Sequence, residues 1–246
     1  MNYHWNWGVF FEETPEGGVQ YWELIASGLG WTLAVSALSL LIALGLGAVI
    51  GTLRTTDSRW LVRLGNAWVE LFRNIPLLVQ MFLWYFVIPE LVPPLKAWII
   101  GADPVQAQFL AAVLCLGLFT SARVAEQVRA GIQSLPRGQH QAAAALGLTT
   151  VQAYRHVLLP MAFRIVIPPL TSEAMNLIKN SSIALTIGLA ELTFRARELG
   201  EYTFNFFEAF TAATILYVIV AMTVNRVMAW VERRVAVPGY IAGAGR

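Results

Sequence analysis

Glu173, Asn176, Lys179 and Asn180 crowd into one short stretch that also holds Pro168, Pro169, Thr171, Ser172, Ser181 and Ser182. On a helix, Glu173, Asn176 and Asn180 share one face through their spacing of three and four, while Lys179 stands roughly 60° to one side. Their chemistry is that of charge and hydrogen bonding. In apolar surroundings such groups face a bundle interior or a water-filled path, or they hold neighbouring helices together as polar glue; both readings stay open. Glu70 and Arg73 form a second constellation, able to pair on one helix face and followed by Asn74 and Pro76. That pair can equally neutralise itself near the end of a span, where a long side chain reaches the interface. Pro76 removes the backbone bond to Phe72 and predicts a kink.

Neither constellation supplies the parts of a catalytic centre. The histidines are His4, His140 and His156, no His-Glu-x-x-His run occurs, and the single cysteine, Cys115, lies in an apolar run as core filling. Lys96 and Lys179 are the only lysines and neither follows a glycine, which excludes a phosphate loop ending Gly-Lys-Ser/Thr, so ATP must be handled elsewhere. The net charge of +2, without a clustered basic face, argues against nucleic acid as a partner. A membrane-embedded enzyme is thereby disfavoured.

The elements that position these groups must suit lipid. Of 246 residues, 57% are hydrophobic and 13% charged, with a mean hydropathy of +0.59, values unlike those of a water-facing globule. Five spans are predicted at about 24–53, 65–88, 105–127, 162–188 and 208–230 within a membrane domain of about 24–231. An N-terminal segment of about 1–23, a loop of about 128–161 and a tail of about 232–246 complete the chain. An odd span number puts the termini on opposite sides. With the N-terminus outside, eleven of the 17 Lys and Arg fall in cytoplasmic segments and only Lys96, Arg195 and Arg197 outside. The remaining three, Arg73, Arg123 and Lys179, are within spans, and the positive-inside rule predicts N-out, C-in.

Residues 1–22 carry Glu12, Glu13 and Glu16 in place of a basic n-region, so this segment is expected to be retained. Trp5, Trp7, Phe10, Phe11, Tyr21 and Trp22 suit a belt at headgroup level. Ala43, Gly47 and Gly51 form a small-xxx-small stripe that lets helices approach closely. The Gly- and Ala-rich tail from Val235 onward is expected to be loosely ordered.

The long loop reads as helical, because Gln139–Leu146 is Ala-rich and Val151–Leu159 is apolar at helical spacing, with Gly147 as a stop and Thr149 as an N-cap. Gln141-Ala142-Ala143-Ala144-Ala145-Leu146-Gly147, nine residues, then Val157-Leu158-Leu159-Pro160 resembles the signature loop of ABC importer permeases. In that family the pattern is Glu-Ala-Ala, three residues, Gly, nine residues, Ile, any residue, Leu-Pro; here Gln141 replaces Glu and Val157 replaces Ile. An exposed ion pair contributes only about 0–1 kcal/mol, so a hydrogen bond from Gln141 can stand in for it. A helix seated in a partner's groove needs small residues where backbones meet and apolar anchors. Ala142 and Ala143 would give the close approach, Gly147 the bend, and Leu148, Tyr154 and Val157 the anchors. Leu159 completes the pattern, and Pro160 is expected to end the second short helix before the fourth span.

Glu70-Leu71-Phe72-Arg73-Asn74-Ile75-Pro76-Leu77-Leu78-Val79-Gln80 is similar to the second-span segment of the polar amino acid permeases. The resemblance runs from Gly28 through Trp230 and includes Trp5-Asn6-Trp7-Gly8. With Val87-Ile88-Pro89-Glu90-Leu91 and Gln127-Val128-Arg129-Ala130, it looks most like the glutamate/aspartate permeases.

This resemblance implies an all-α integral membrane protein, a type I ABC importer permease with five spans and a cytoplasmic coupling-helix loop, in the bacterial inner membrane. It implies a second permease, favoured as a different but related chain, two ATPase subunits that bind ATP and Mg, and a periplasmic substrate-binding protein. This chain itself would hold no cofactor. Arg73, Asn74, Glu173, Asn176, Lys179 and Asn180 are the candidates for a path that meets the ammonium and carboxylate groups of an amino acid. The alternatives are a permease for basic amino acids, glutamine or histidine, and a self-sufficient channel or ion-coupled transporter.

Overall fold

The structure, a computed structural model, describes residues 3–235. A short 3-10 turn, Trp7–Phe11, precedes α1 at Tyr21–Leu53, α2 at Arg59–Asn74, α3 at Leu77–Leu91 and α4 at Pro93–Gly101. Then come α5 at Pro104–Gln133, α6 at Arg137–Ala145, α7 at Thr150–Ile187, α8 at Leu192–Thr203 and α9 at Phe206–Val235. Among the described residues four helices, α1, α5, α7 and α9, are long and apolar enough to cross a membrane, and α2 with α3 forms a fifth, broken candidate. The tail expected to be loosely ordered lies beyond Val235, outside the described residues.

Two predicted boundaries need correction. The span expected over 65–88 is not one helix. Ile75 (φ −93°, ψ 127°) and Pro76 (φ −56°, ψ 137°) are both out of the helical region and separate α2 from α3. The proline ring crowds the residue before it out of the α region, which turns the expected kink into a break.

The helix that carries the fourth candidate span starts inside the expected loop, at Thr150, and Pro160 does not end a helix. A π turn at Tyr154–Leu158 leads straight into an α-helical stretch, Leu159–Asn180. The Leu159 N–H reaches back to the Tyr154 carbonyl, five residues away, so the ladder has slipped register just where Pro160 offers no donor. The helix tightens to 3-10 at Ser181–Ile187 and stops at Gly188, whose φ of 87° suits glycine.

The chain divides into two compact units, one drawn from residues 1–40, 76–117 and 176–222, the other from 41–75, 118–175 and 223–246. In the first, Val9 and Tyr21 pack with Ile25, Leu192, Leu199 and Ala209. In the second, Ala43, Val124, Val128, Tyr154, Leu158 and Val166 form the core. The small-residue stripe works there as its sequence implies. A Cβ on Gly47 would lie 2.5 Å from the Val124 side chain, and one on Gly51 would lie 2.7 Å from the Ala125 carbonyl oxygen. Backbones meet only because both positions lack a side chain. Cys115 is buried, as core filling should be.

Candidate functional site

In the second unit the helical period brings Arg123, Glu126 and Gln127 of α5 onto one face, opposite Glu173 of α7. Arg123 grips Glu173 through two hydrogen bonds, Nε to Oε2 at 2.7 Å and Nη2 to Oε1 at 3.1 Å, and Gln127 Nε2 donates to Oε1 at 3.0 Å. The Glu173 side chain keeps 7% of its surface exposed and that of Arg123 keeps 42%. Such burial of a carboxylate is tolerable because a charged fork and an amide satisfy it.

Glu126 is shared between two arginines. Arg54 donates from Nη2 at 3.0 Å and Arg73 from Nη1 at 3.2 Å, while Arg54 Nε also donates to Asn66 Oδ1 at 2.8 Å. The Arg54 side chain is 5% exposed and that of Arg73 54%. Arg54 is therefore a buried tie between the end of α1, α2 and α5, and Gly65 leaves the room it needs: a Cβ there would fall 2.4 Å from Arg54 Cγ.

Arg73, Phe119, Arg123, Glu126, Gln127 and Glu173 line a cavity of about 420 Å³. Both carboxylates in its wall are engaged by arginines, and the two guanidinium groups that line it, Arg73 and Arg123, are partly exposed. A planar fork of N–H groups matches a carboxylate.

The expectation that Arg73 pairs with Glu70 is corrected: its carboxylate is Glu126, on another helix, and Glu70 is exposed. Arg73 and Glu173 are brought to one cavity; Asn74 is exposed at the end of α2. Asn176 and Asn180, both half-buried, and the exposed Lys179 fall in the other unit and are not among the residues lining that cavity. The sequence marks Arg123, with Arg73 and Lys179, as a cation an acidic cargo would favour, and Gln127 only as part of the Gln127-Val128-Arg129-Ala130 run; Glu126 carries no signal of its own. The spacing of three and four that joins them was legible, but the charge partner across the bundle was not.

The loop motif builds a rigid corner. At the end of α6 the Leu148 N–H bonds to the Ala143 carbonyl at 3.1 Å and the Gly147 N–H to the Ala144 carbonyl at 3.0 Å, with Gly147 at φ 71°. This pairing closes a helix when a left-handed residue follows it. Thr149 then caps α7 in a box with Gln152, each side chain bonded to the other's backbone N–H.

Two expected docking residues point inward instead. Ala143 is buried, and Tyr154 is buried with its hydroxyl donating to the Thr55 carbonyl at 2.7 Å. Tyr154 belongs to the second unit's own core, and Ala143 is covered on α6. The exposed apolar residues are Leu146 (78%) and Val151 (75%), beside exposed Gln141, Ala142 and Gly147. Leu148 is half-buried; Val157 and Leu159 pack partly against the core; Pro160 is exposed. Gln141 and Tyr154 border a second cavity of about 400 Å³, with Thr55, Ile132, Leu135, Pro136 and Leu158 also in its wall.

In the first unit Glu191 is completely buried and caps α8. Its Oε1 accepts the Phe194 N–H at 2.9 Å, and its Oε2 accepts the Tyr217 hydroxyl at 2.8 Å and the Thr32 hydroxyl at 3.4 Å. Burial among these neutral donors pushes its pKa above the usual carboxylate range.

Residues 42–237 match the family described as the binding-protein-dependent transport system inner membrane component. The chain is 51% identical over 245 residues to the glutamate/aspartate import permease protein GltJ of Escherichia coli strain K12, covering 99% of this chain and 100% of that one. It is 28% identical to the glutamate/aspartate import permease protein GltK of E. coli O6:H1, over 95% of this chain and 100% of that one. Among solved structures, a crystal structure of an amino acid ABC transporter with histidines superposes with a TM-score of 0.72 at 30% identity, over 87% of this chain and 95% of that chain.

Proposed function

Because the chain belongs to the family of binding-protein-dependent transport system inner membrane components, we propose that it is a permease subunit of a bacterial ABC importer for glutamate and aspartate. The observation that carries this reading is the end-to-end likeness to a permease named for that cargo. A second relative of the same name class, distinct in sequence, supports pairing with a different but related permease. Two ATPase subunits and a periplasmic substrate-binding protein complete the assembly in the inner membrane, and ATP and Mg reside on the ATPases. The chain takes the N-out, C-in orientation, which puts the α6–α7 corner in the cytoplasm.

The corner transmits work. Gln141, Ala142, Leu146 and Val151 present the surface that meets the ATPase. Behind them, Tyr154 ties the corner to Thr55 and to the core shared by α1 and α5, so a push on the corner moves that core rather than bending a loop. Motion of this kind opens the path alternately to the two sides.

The cavity walled by Arg73 and Arg123 suits an acidic cargo. Each guanidinium is held by one carboxylate and keeps a partly exposed face for another. Glu173 and Gln127 orient Arg123; Glu126 and Arg54 orient Arg73. Asn74, Asn176, Lys179 and Asn180 remain candidates for other stages of the path. The test is competition: unlabelled glutamate and aspartate should suppress labelled glutamate uptake by the assembled transporter, and arginine, histidine and glutamine should not. Suppression by a basic amino acid alone would overturn the choice of cargo.

A further inference from the structure

We propose that the segment Tyr3–Phe11 is a lipid-interface anchor, clamped by Glu208 onto the head of α9, that fixes the depth of that span in the membrane. The proposal rests on α9 being a membrane span. Glu208 lies in the first turn of α9 and has no exposed surface. Both of its oxygens are taken by the N-terminal segment: Oε2 accepts the Tyr3 hydroxyl at 2.5 Å and Oε1 accepts the Asn6 N–H at 2.6 Å. A carboxylate at this depth requires such partners. Three residues further on, Val9 is fully buried in the core that contains Ala209. The segment is thus held by Glu208 and by the core to which α9 contributes Ala209.

Its outer surface is a run of rings. Phe207 meets Tyr3 at 4.6 Å between centroids, Tyr3 meets Trp5 at 5.4 Å, Trp5 stacks on Trp7 at 5.3 Å, and Trp7 lies 6.2 Å from Phe10. Trp5, Trp7 and Phe11 nevertheless remain exposed. Phe204, exposed in the turn before α9, closes α8 from a backbone φ of 61°.

What covers this surface follows from its continuation. Phe207, Phe210, Val218 and Met222 are exposed along one face of α9, so the ring patch is the end of an apolar stripe on a span. Tyr3–Phe11 contains no Asp, Glu, Lys or Arg, which leaves a soluble partner no charge to complement. Lipid is therefore the occupant, acyl chains along the stripe and the headgroup boundary at the rings, where amphipathic aromatics partition.

The test uses nitroxide labels at His4→Cys and Phe11→Cys in a Cys115→Ala background, in the assembled transporter in lipid nanodiscs. Both labels should lose access to a nickel chelate, relative to a label at Glu16→Cys, while keeping access to oxygen. Nickel access equal to the Glu16 label overturns lipid contact. Loss of access to both reagents means that a protein surface covers the patch and also overturns it. Glu208→Ala should restore nickel access at His4, whereas Glu208→Gln, which retains the acceptor, should not. Tyr3→Phe, a milder change, should restore it in part. A His4 label unmoved by Glu208→Ala and Tyr3→Phe overturns the clamp. A label at Val218→Cys separates the premises: if it too admits nickel, the reading of α9 as a span fails, not the anchor alone.

Discussion

Arg123 holds Glu173 with two hydrogen bonds, and the two differ sharply in burial, the glutamate side chain at 7% exposure and the arginine at 42%. The difference makes the pair asymmetric. Removing Arg123 leaves a buried carboxylate without its cation, whereas removing the Glu173 charge leaves a cation that water can reach. Arg123→Ala should destabilise the protein by about 1–3 kcal/mol once solvent screening of the exposed partner is allowed for. Glu173→Gln should cost less. Thermal unfolding of the purified variants checks the order, and equal losses would contradict it.

Arg123→Lys preserves the charge but not the fork. If this guanidinium receives a cargo carboxylate, glutamate uptake should fall about tenfold, with the protein still folded, because a lysine cannot reproduce the bidentate geometry. Initial rates over a range of glutamate concentrations decide it, and an unchanged rate at every concentration would remove Arg123 from the path.

Tyr154 and Leu146 should behave as opposites. Tyr154→Phe removes a hydroxyl bonded to the Thr55 carbonyl and should cost about 1 kcal/mol of stability while leaving ATPase association intact. Leu146→Asp, at an exposed position, should leave stability alone and weaken association. Co-purification of the ATPase with each variant checks both.

Gly147→Asp should insert normally yet uncouple ATP hydrolysis from uptake. A Cβ at Gly147 meets no atom within 4 Å, so the fold has room for it and only the φ of 71° is penalised. That strain amounts to about 1 kcal/mol. The obstruction arises at the partner's surface instead. Wild-type transport by this variant would remove the corner from the coupling path.

Glu191 sets a pH dependence. Its folded pKa is raised by burial, so the folded state holds the proton more tightly than the unfolded chain, whose value is about 4.3. Its contribution is therefore most favourable below that unfolded value and is lost as pH rises through the folded one. Glu191→Gln keeps an acceptor for the Phe194 N–H and should gain in stability relative to the natural protein between pH 4.5 and pH 7. Parallel melting curves across that range, showing no change in the difference, would contradict the burial argument.

Much of this was legible because local rules dominate locally. Gly147 and Thr149 announce a stop and a cap whatever surrounds them, and Ala43, Gly47 and Gly51 announce close packing. The failures occurred where a local rule met the bundle. Pro160 should break a helix, but the π turn before it absorbs the missing donor. Arg73 has a carboxylate one turn away in sequence and binds another across the bundle. Tyr154 is a good anchor by type and faces inward because the unit's core and the Thr55 carbonyl, just past α1, receive it. Glu126 and Glu208 carried no motif at all; their roles come entirely from groups distant in sequence.

The central claim is that this chain moves acidic amino acids with work received from a separate ATPase. It is tested by labelled glutamate uptake into vesicles holding the chain with its second permease, the ATPases and the binding protein. Uptake should require ATP on the ATPase side and should stop when the ATPases are omitted. Glutamate uptake by this chain without ATP, driven by an ion gradient alone, would contradict it.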